Sequence, residues 1–208
     1  MALAASEVTV ELREVKLQSK PAELLEVSPK GTVPVLVLPE GLVIDESLDI
    51  MTWAIGQHDP LFNNTAPEEA SEWIRGCDDD FKHWLDRYKY SDRYPGSSSE
   101  MYRSKAEGFL KQMESVLTTR RWLGGTAPTL IDVAIFPFIR QFAGVDQSWW
   151  EKAPYPALRV WLADWLDTSL FLSVMKKYRP WEMGCPGELF PNMPPVRETE
   201  RIKAAWLH

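Results

Sequence analysis

The chain has 208 residues, 45% of them hydrophobic and 12% aromatic, enough apolar surface for one or two packed domains. Its formal net charge is -7, and residues 1 to 60 hold 4 basic against 10 acidic side chains, a balance that argues against nucleic acid or an anionic membrane as partner. Cys77 and Cys185 are too few for a disulfide framework and fit a reducing cytoplasm.

In chain order, Met1 to Ser6 is alanine-rich and predicts a helical start without the basic residues or length of a signal peptide. Val8, Val10 and Leu12 then alternate with Thr9 and Glu11, the pattern of a half-buried strand. Ser19 is the predicted cap of a short helix through Pro21, Ala22, Leu24 and Leu25, which ends at Ser28-Pro29-Lys30-Gly31. Two apolar runs, Val35 to Leu38 and Leu42 to Ile44, flank Pro39-Glu40-Gly41 and predict a strand-turn-strand hairpin. Val33-Pro34 stands before the first run, and only an X-Pro bond adopts the cis form readily. After the second run, Asp45-Glu46-Ser47 opens a helical pattern with Leu48, Ile50, Met51, Ala54 and Ile55, for which Asp45 is the predicted N-cap.

Residues 58 to 64 break that pattern and are the predicted linker between a domain at 1–57 and one at 65–208. Beyond the linker the pattern is helical throughout. Thr65 and Glu68 have capping-box spacing, and Trp73, Ile74, Cys77, Phe81, Trp84, Leu85 and Tyr88 share one helical face, which makes Cys77 a buried structural thiol. Ser97 and Glu100 open a second long helix through Leu117, and Gly124-Gly125 marks a turn. Thr129 and Asp132 then head the most apolar helix. Their spacing lets each side chain satisfy a helix-start N–H, so both are predicted folding residues rather than parts of a hydrolytic triad. Two shorter helices follow at 156–167 and 169–178, then a tail rich in proline and aromatics, with a helical pattern over 198–207. His58, His83 and His208 lack metal-ligand spacing to one another or to a cysteine, so no metal site is expected. No apolar run is long enough to span a membrane.

The run from Pro29 to Ile50, with its Val-Pro before one strand and its acidic-Ser pair after the next, resembles the glutathione-binding half of a glutathione S-transferase. The Thr129–Asp132 capping box also resembles the head of the core helix in that family's second domain. The resemblance implies an α+β thioredoxin-like first domain followed by an all-α helical bundle, mostly α overall. It implies glutathione as co-substrate, either conjugated to a small electrophile or used in glutathione-dependent thiol-disulfide or deglutathionylation chemistry, in a cytoplasmic homodimer. In this likeness Val33, beside Pro34, supplies main chain that pairs with glutathione as an added strand does. Ser47 and its helix start suit the γ-glutamyl carboxylate, Glu46 suits the ammonium, and Lys20 matches the position that meets the glycine carboxylate. Trp84, Arg87 and Tyr88 are candidates for the electrophile's pocket by analogy alone.

Against the family, the first strand and the loop carrying the activating Tyr, Ser or Cys have no counterpart before Met1, so no catalytic residue is assigned. A central strand with some three buried apolar side chains, at about 1.5–3 kcal/mol each, would be missing from a domain whose whole stability is about 5–15 kcal/mol. The expectation is therefore an incomplete first domain in a shortened form of a longer product. The other reading is a non-catalytic relative serving as an interaction or regulatory module.

Overall fold

Alternation along the first strand decides which residues enter the core, and the structure, a computed structural model, follows it. It describes residues 1–58, 67–191 and 202–207, with residues 67 and 202–207 described through the backbone. A short helix α1 (Ala2–Ala5) leads into strand β1 (Val10–Glu14), where Val10 and Leu12 are buried. Helix α2 (Ala22–Val27) follows with Pro21 at its N-cap and no side-chain cap, which corrects the assignment to Ser19; the Ser19 amide bonds back to the Lys16 carbonyl in a turn. Strands β2 (Val35–Val37) and β3 (Val43–Ile44) form the hairpin, closed by a bond from the Leu38 amide to the Leu42 carbonyl, with Gly41 at φ +92° where a side chain would be strained. Helix α3 (Ser47–Gln57) starts from Glu46 rather than Asp45. The reason lies outside the helix: the Asp45 carboxylate is already engaged by the Ser28 hydroxyl and the Lys30 ammonium, each at 3.3 Å.

Three further elements belong with this part of the chain. Helix α10 (Ser169–Val174), strand β4 (Glu188–Phe190) and strand β5 (Ile202–Leu207) come from the other end of the sequence. The sheet runs β3-β2-β5-β1-β4. β5 lies between β1 and β2, parallel to the former and antiparallel to the latter, so the central place expected to be vacant is filled by the tail. That corrects the expected helix over 202–207. The Lys203-Ala204-Ala205 sequence favours a helix locally, and pairing on both sides overrides the preference. The chain divides into two compact units, one comprising Met1–Pro60 with Ser169–His208, the other Leu61–Thr168.

Inside the first unit, neighbouring residues Val35 and Leu36 fall into separate apolar clusters, as the period of two in a strand requires. Leu36 joins Leu3, Val10, Leu12, Leu38, Ile50, Ala54 and Phe190, whereas Val35 joins Val15 and Leu24. The expected α+β part is thus present, with its sheet packed on both faces.

The second unit is helical: α4 (Pro67–Gly76), α5 (Lys82–Lys89), α6 (Ser99–Leu117), α7 (Leu130–Val145), α8 (Gln147–Trp150) and α9 (Pro156–Leu166). A single π-helical turn, Cys77–Phe81, joins α4 to α5, so the predicted continuous stripe holds with one wider turn inside it. Phe81 stacks on Phe109 at 5.0 Å and approaches Phe142 at 5.7 Å, while Trp161 and Trp165 pack about Phe136. Helix α6 is capped by Ser98, whose hydroxyl accepts from the Met101 amide, one residue beyond the predicted Ser97. The cap assigned to Thr65, residues 59–64 of the predicted linker, the tail at 192–201 with the start of its predicted helix, and His208 lie outside the described residues. Among the described residues no helix is long and apolar enough to cross a membrane.

Candidate functional site

The turn at residues 28–31 and the start of α3 meet, and most of the sequence-predicted site residues gather there. Gly31, at φ +60°, closes the turn with a 2.9 Å bond from its amide to the Ser28 carbonyl. The Lys20 ammonium lies against it, 3.6 Å from where a Cβ on Gly31 would stand. Next in the chain, the Val33–Pro34 bond is cis, and Val33 packs at the edge of the Val15, Leu24 and Val35 cluster. β2 begins immediately after it, so the Val33 main chain is held at the sheet's end by the residues that follow.

Across the turn stands the head of α3. Glu46 at its N-cap has extended backbone and no side chain caps the helix; the Ile50 amide bonds the Glu46 carbonyl at 3.0 Å. The amides of Ser47, Leu48 and Asp49 therefore stand at the positive end of an eleven-residue helix, with the exposed Ser47 hydroxyl beside them. Lys30 joins the two parts: its Nζ lies 2.8 Å from Glu46 and 3.3 Å from Asp45, and these two carboxylates, Glu46 first, raise its pKa. Sequence reasoning missed Lys30 and the engagement of Asp45, because a lysine in a turn carries no sign of which carboxylate it will reach. The geometry supplies two anion-receptive places, the Lys20 ammonium and the helix start. Beside the helix start is a carboxylate pair, Asp45 and Glu46, able to hold an ammonium group, as it holds that of Lys30.

The second unit's candidates divide. Trp84 donates its indole N–H to Asp80 at 2.8 Å, and the Arg87 guanidinium lies 4.7 Å over the Tyr94 ring. Tyr88, in contrast, is buried against Phe142 at 5.0 Å, and burial pushes its hydroxyl above the ordinary value. It is a core residue. Cys77 is buried too, and burial pushes its thiol up to about 12, so it cannot supply a thiolate near neutral pH.

Thr129 and Asp132 form the capping box of α7, and Asp132 does more than cap. Its fully buried carboxylate accepts from the amides of Leu123 (2.8 Å), Gly124 (3.4 Å) and Thr129 (3.0 Å), from the Thr129 hydroxyl (3.0 Å) and from the Trp161 indole (2.8 Å). Burial raises its pKa while those donors pull the other way. One carboxylate thus ties the 122–125 turn, the head of α7 and the middle of α9 together. Among the described residues no group of three or more His, Cys, Asp or Glu side chains is placed to hold a metal.

Comparison with known proteins adds an independent line. The family model described as "Glutathione S-transferase, N-terminal domain" matches residues 1–55, and that described as "Glutathione S-transferase, C-terminal domain" matches residues 71–164. Among solved structures, the ternary complex of BphK, a bacterial GST, is 22% identical, with a TM-score of 0.67 over 83% of this chain and 88% of that one. A Pseudomonas fluorescens Pf-5 glutathione transferase family member with two glutathione bound is 22% identical, with a TM-score of 0.60 over 73% of this chain and 74% of that one. The transferase URE2P6 from Phanerochaete chrysosporium, in complex with oxidized glutathione, is 18% identical, with a TM-score of 0.62 over 74% and 76%. These likenesses show the fold. No curated protein matches the chain.

Proposed function

The chain belongs to the glutathione S-transferase family, and on that premise we propose that it binds glutathione at the head of α3 and presents the thiol to a small electrophile. The observation that carries this reading is the uncapped start of α3 with Glu46 and Ser47 at its first turn. Glutathione has one end that bears both a carboxylate and an ammonium group. The Ser47 hydroxyl and the free amides take the carboxylate, and Glu46 takes the ammonium in exchange for Lys30. The Val33 main chain pairs with the extended middle of the tripeptide, and Lys20 takes the glycine carboxylate. One similar solved structure holds two glutathione and another holds oxidized glutathione, which supports the assignment of the ligand class.

The sulfur is the reacting atom: its S–H proton passes to solvent, a C–S thioether bond forms, and the bond from that carbon to its leaving group breaks, the group departing with its electron pair. Catalysis requires a donor that holds the thiolate, and no residue of this chain is assigned that role. The reading is tested by retention on immobilised glutathione together with turnover of a chlorodinitrobenzene. Retention with turnover is the expected result. Retention without turnover points to a non-catalytic module that keeps the binding site. A protein neither retained nor active refutes the proposal.

A further inference from the structure

We infer that the tail strand β5 is part of the glutathione site, and that docking of the strand and binding of the tripeptide strengthen each other. This rests on the glutathione reading above. β5 is the hydrogen-bonded link between the hairpin that leads into Glu46 and Ser47 and strand β1, after which Lys20 follows. Its register brings its last residues to the site. Trp206 pairs with Val35, two residues from Val33, and Leu207 pairs with Glu14 at the end of β1. The main chain that grips the ligand is therefore aligned by a ladder with the tail on its other side.

The same strand has the features of a weakly held element. It carries Ala204 and Ala205 at its centre, where a central strand ordinarily has β-branched side chains. Its pairing with β1 is parallel, the less stable kind, and a register shift interrupts that ladder between Val10 and Leu12. Elements of this kind open locally far more often than the whole domain unfolds. A ligand that binds only the docked form closes such an opening, and by linkage the docked strand raises affinity for the ligand by the same factor.

Amide exchange on the full-length chain, with and without glutathione, tests this when read beside a calorimetric titration of the same sample. With glutathione at about 100 times its Kd, amides of Ile202–Leu207 are expected to exchange up to about 100-fold more slowly. Those at the start of α3 should slow with them, and those of Ile131 to Ile139 should not change. If the start of α3 is protected while the tail is unchanged, the tail is a structural strand only and the inference falls, leaving the binding site intact. Equal slowing in α7 would mean general stabilisation and would likewise overturn it. Absence of a binding heat would refute the glutathione reading itself, and this inference with it.

Discussion

Asp132 gathers five donors of the second unit on one buried carboxylate. Replacing it with alanine leaves three backbone amides, a hydroxyl and an indole N–H facing a small void. Unpaired buried donors cost about 1–3 kcal/mol each, and loss of one partner from a buried charged network costs about 3–5 kcal/mol. Asp132→Ala is expected to lower unfolding free energy by at least about 3 kcal/mol, read as a lower urea midpoint at unchanged slope. The two cysteines give a second residue-level test. Cys185 is exposed and Cys77 is not, so a thiol reagent at neutral pH should modify one thiol per folded chain and a second only on unfolding. The sign of the pH effect follows. Cys77 ionises at its ordinary 9.0 when unfolded and near about 12 when folded, so its contribution to stability is complete below pH 9 and is lost as pH rises toward 12. Cys77→Ala should flatten that alkaline decline. At the site, Ser47→Ala removes one hydroxyl donor from the proposed carboxylate contact and should weaken glutathione binding roughly tenfold, or about 1.4 kcal/mol by calorimetry.

Helix starts show where local sequence decides and where neighbours do. For α6 the Ser97-Ser98 pair offers two hydroxyls, and the structure selects Ser98, whose Oγ lies 3.3 Å from the Met101 amide. Ser98→Ala should cost about 0.5–2 kcal/mol, typical of a lost N-cap, whereas Ser97→Ala should change the melting midpoint little. For α3 the choice is made from outside the helix: Lys30 and Ser28 draw Asp45 away, and the start passes to Glu46 without a side-chain cap. An uncapped helix start leaves backbone donors for a ligand, so the departure from the local rule coincides with the proposed binding site. The capping box of α7 was legible because Thr129 and Asp132 lie three residues apart and need no distant partner to form it. The further bonds of Asp132 to Leu123 and Trp161 were not legible, since periodicity says nothing about which turn or indole will approach.

At the scale of the molecule, legibility follows sequence distance. The hairpin, the helix after it and the helical second unit rest on contacts made within a few tens of residues, and alternation or helical spacing reveals them. The place of β5 rests on pairing Leu12 with Ala205 and Leu36 with Ala205, across most of the chain. No local pattern encodes such a pairing, and the Lys203-Ala204-Ala205 run points locally to a helix. The same distance makes the strand's contribution separable. Cutting the chain after Pro191 removes β5 but no residue of Leu61–Thr168. It exposes the facing edges of β1 and β2, with about half a dozen ladder bonds at about 1 kcal/mol each, a loss on the order of 5 kcal/mol. That lies at the low end of the about 5–15 kcal/mol that holds a whole domain together, so the strand opens before the domain does. The shortened chain is expected to lose exchange protection in β1 and β2 while α7 and α9 keep theirs. Retained protection in β1 and β2 would mean that the apolar cluster around Leu12 and Leu36, and not the tail strand, holds the sheet.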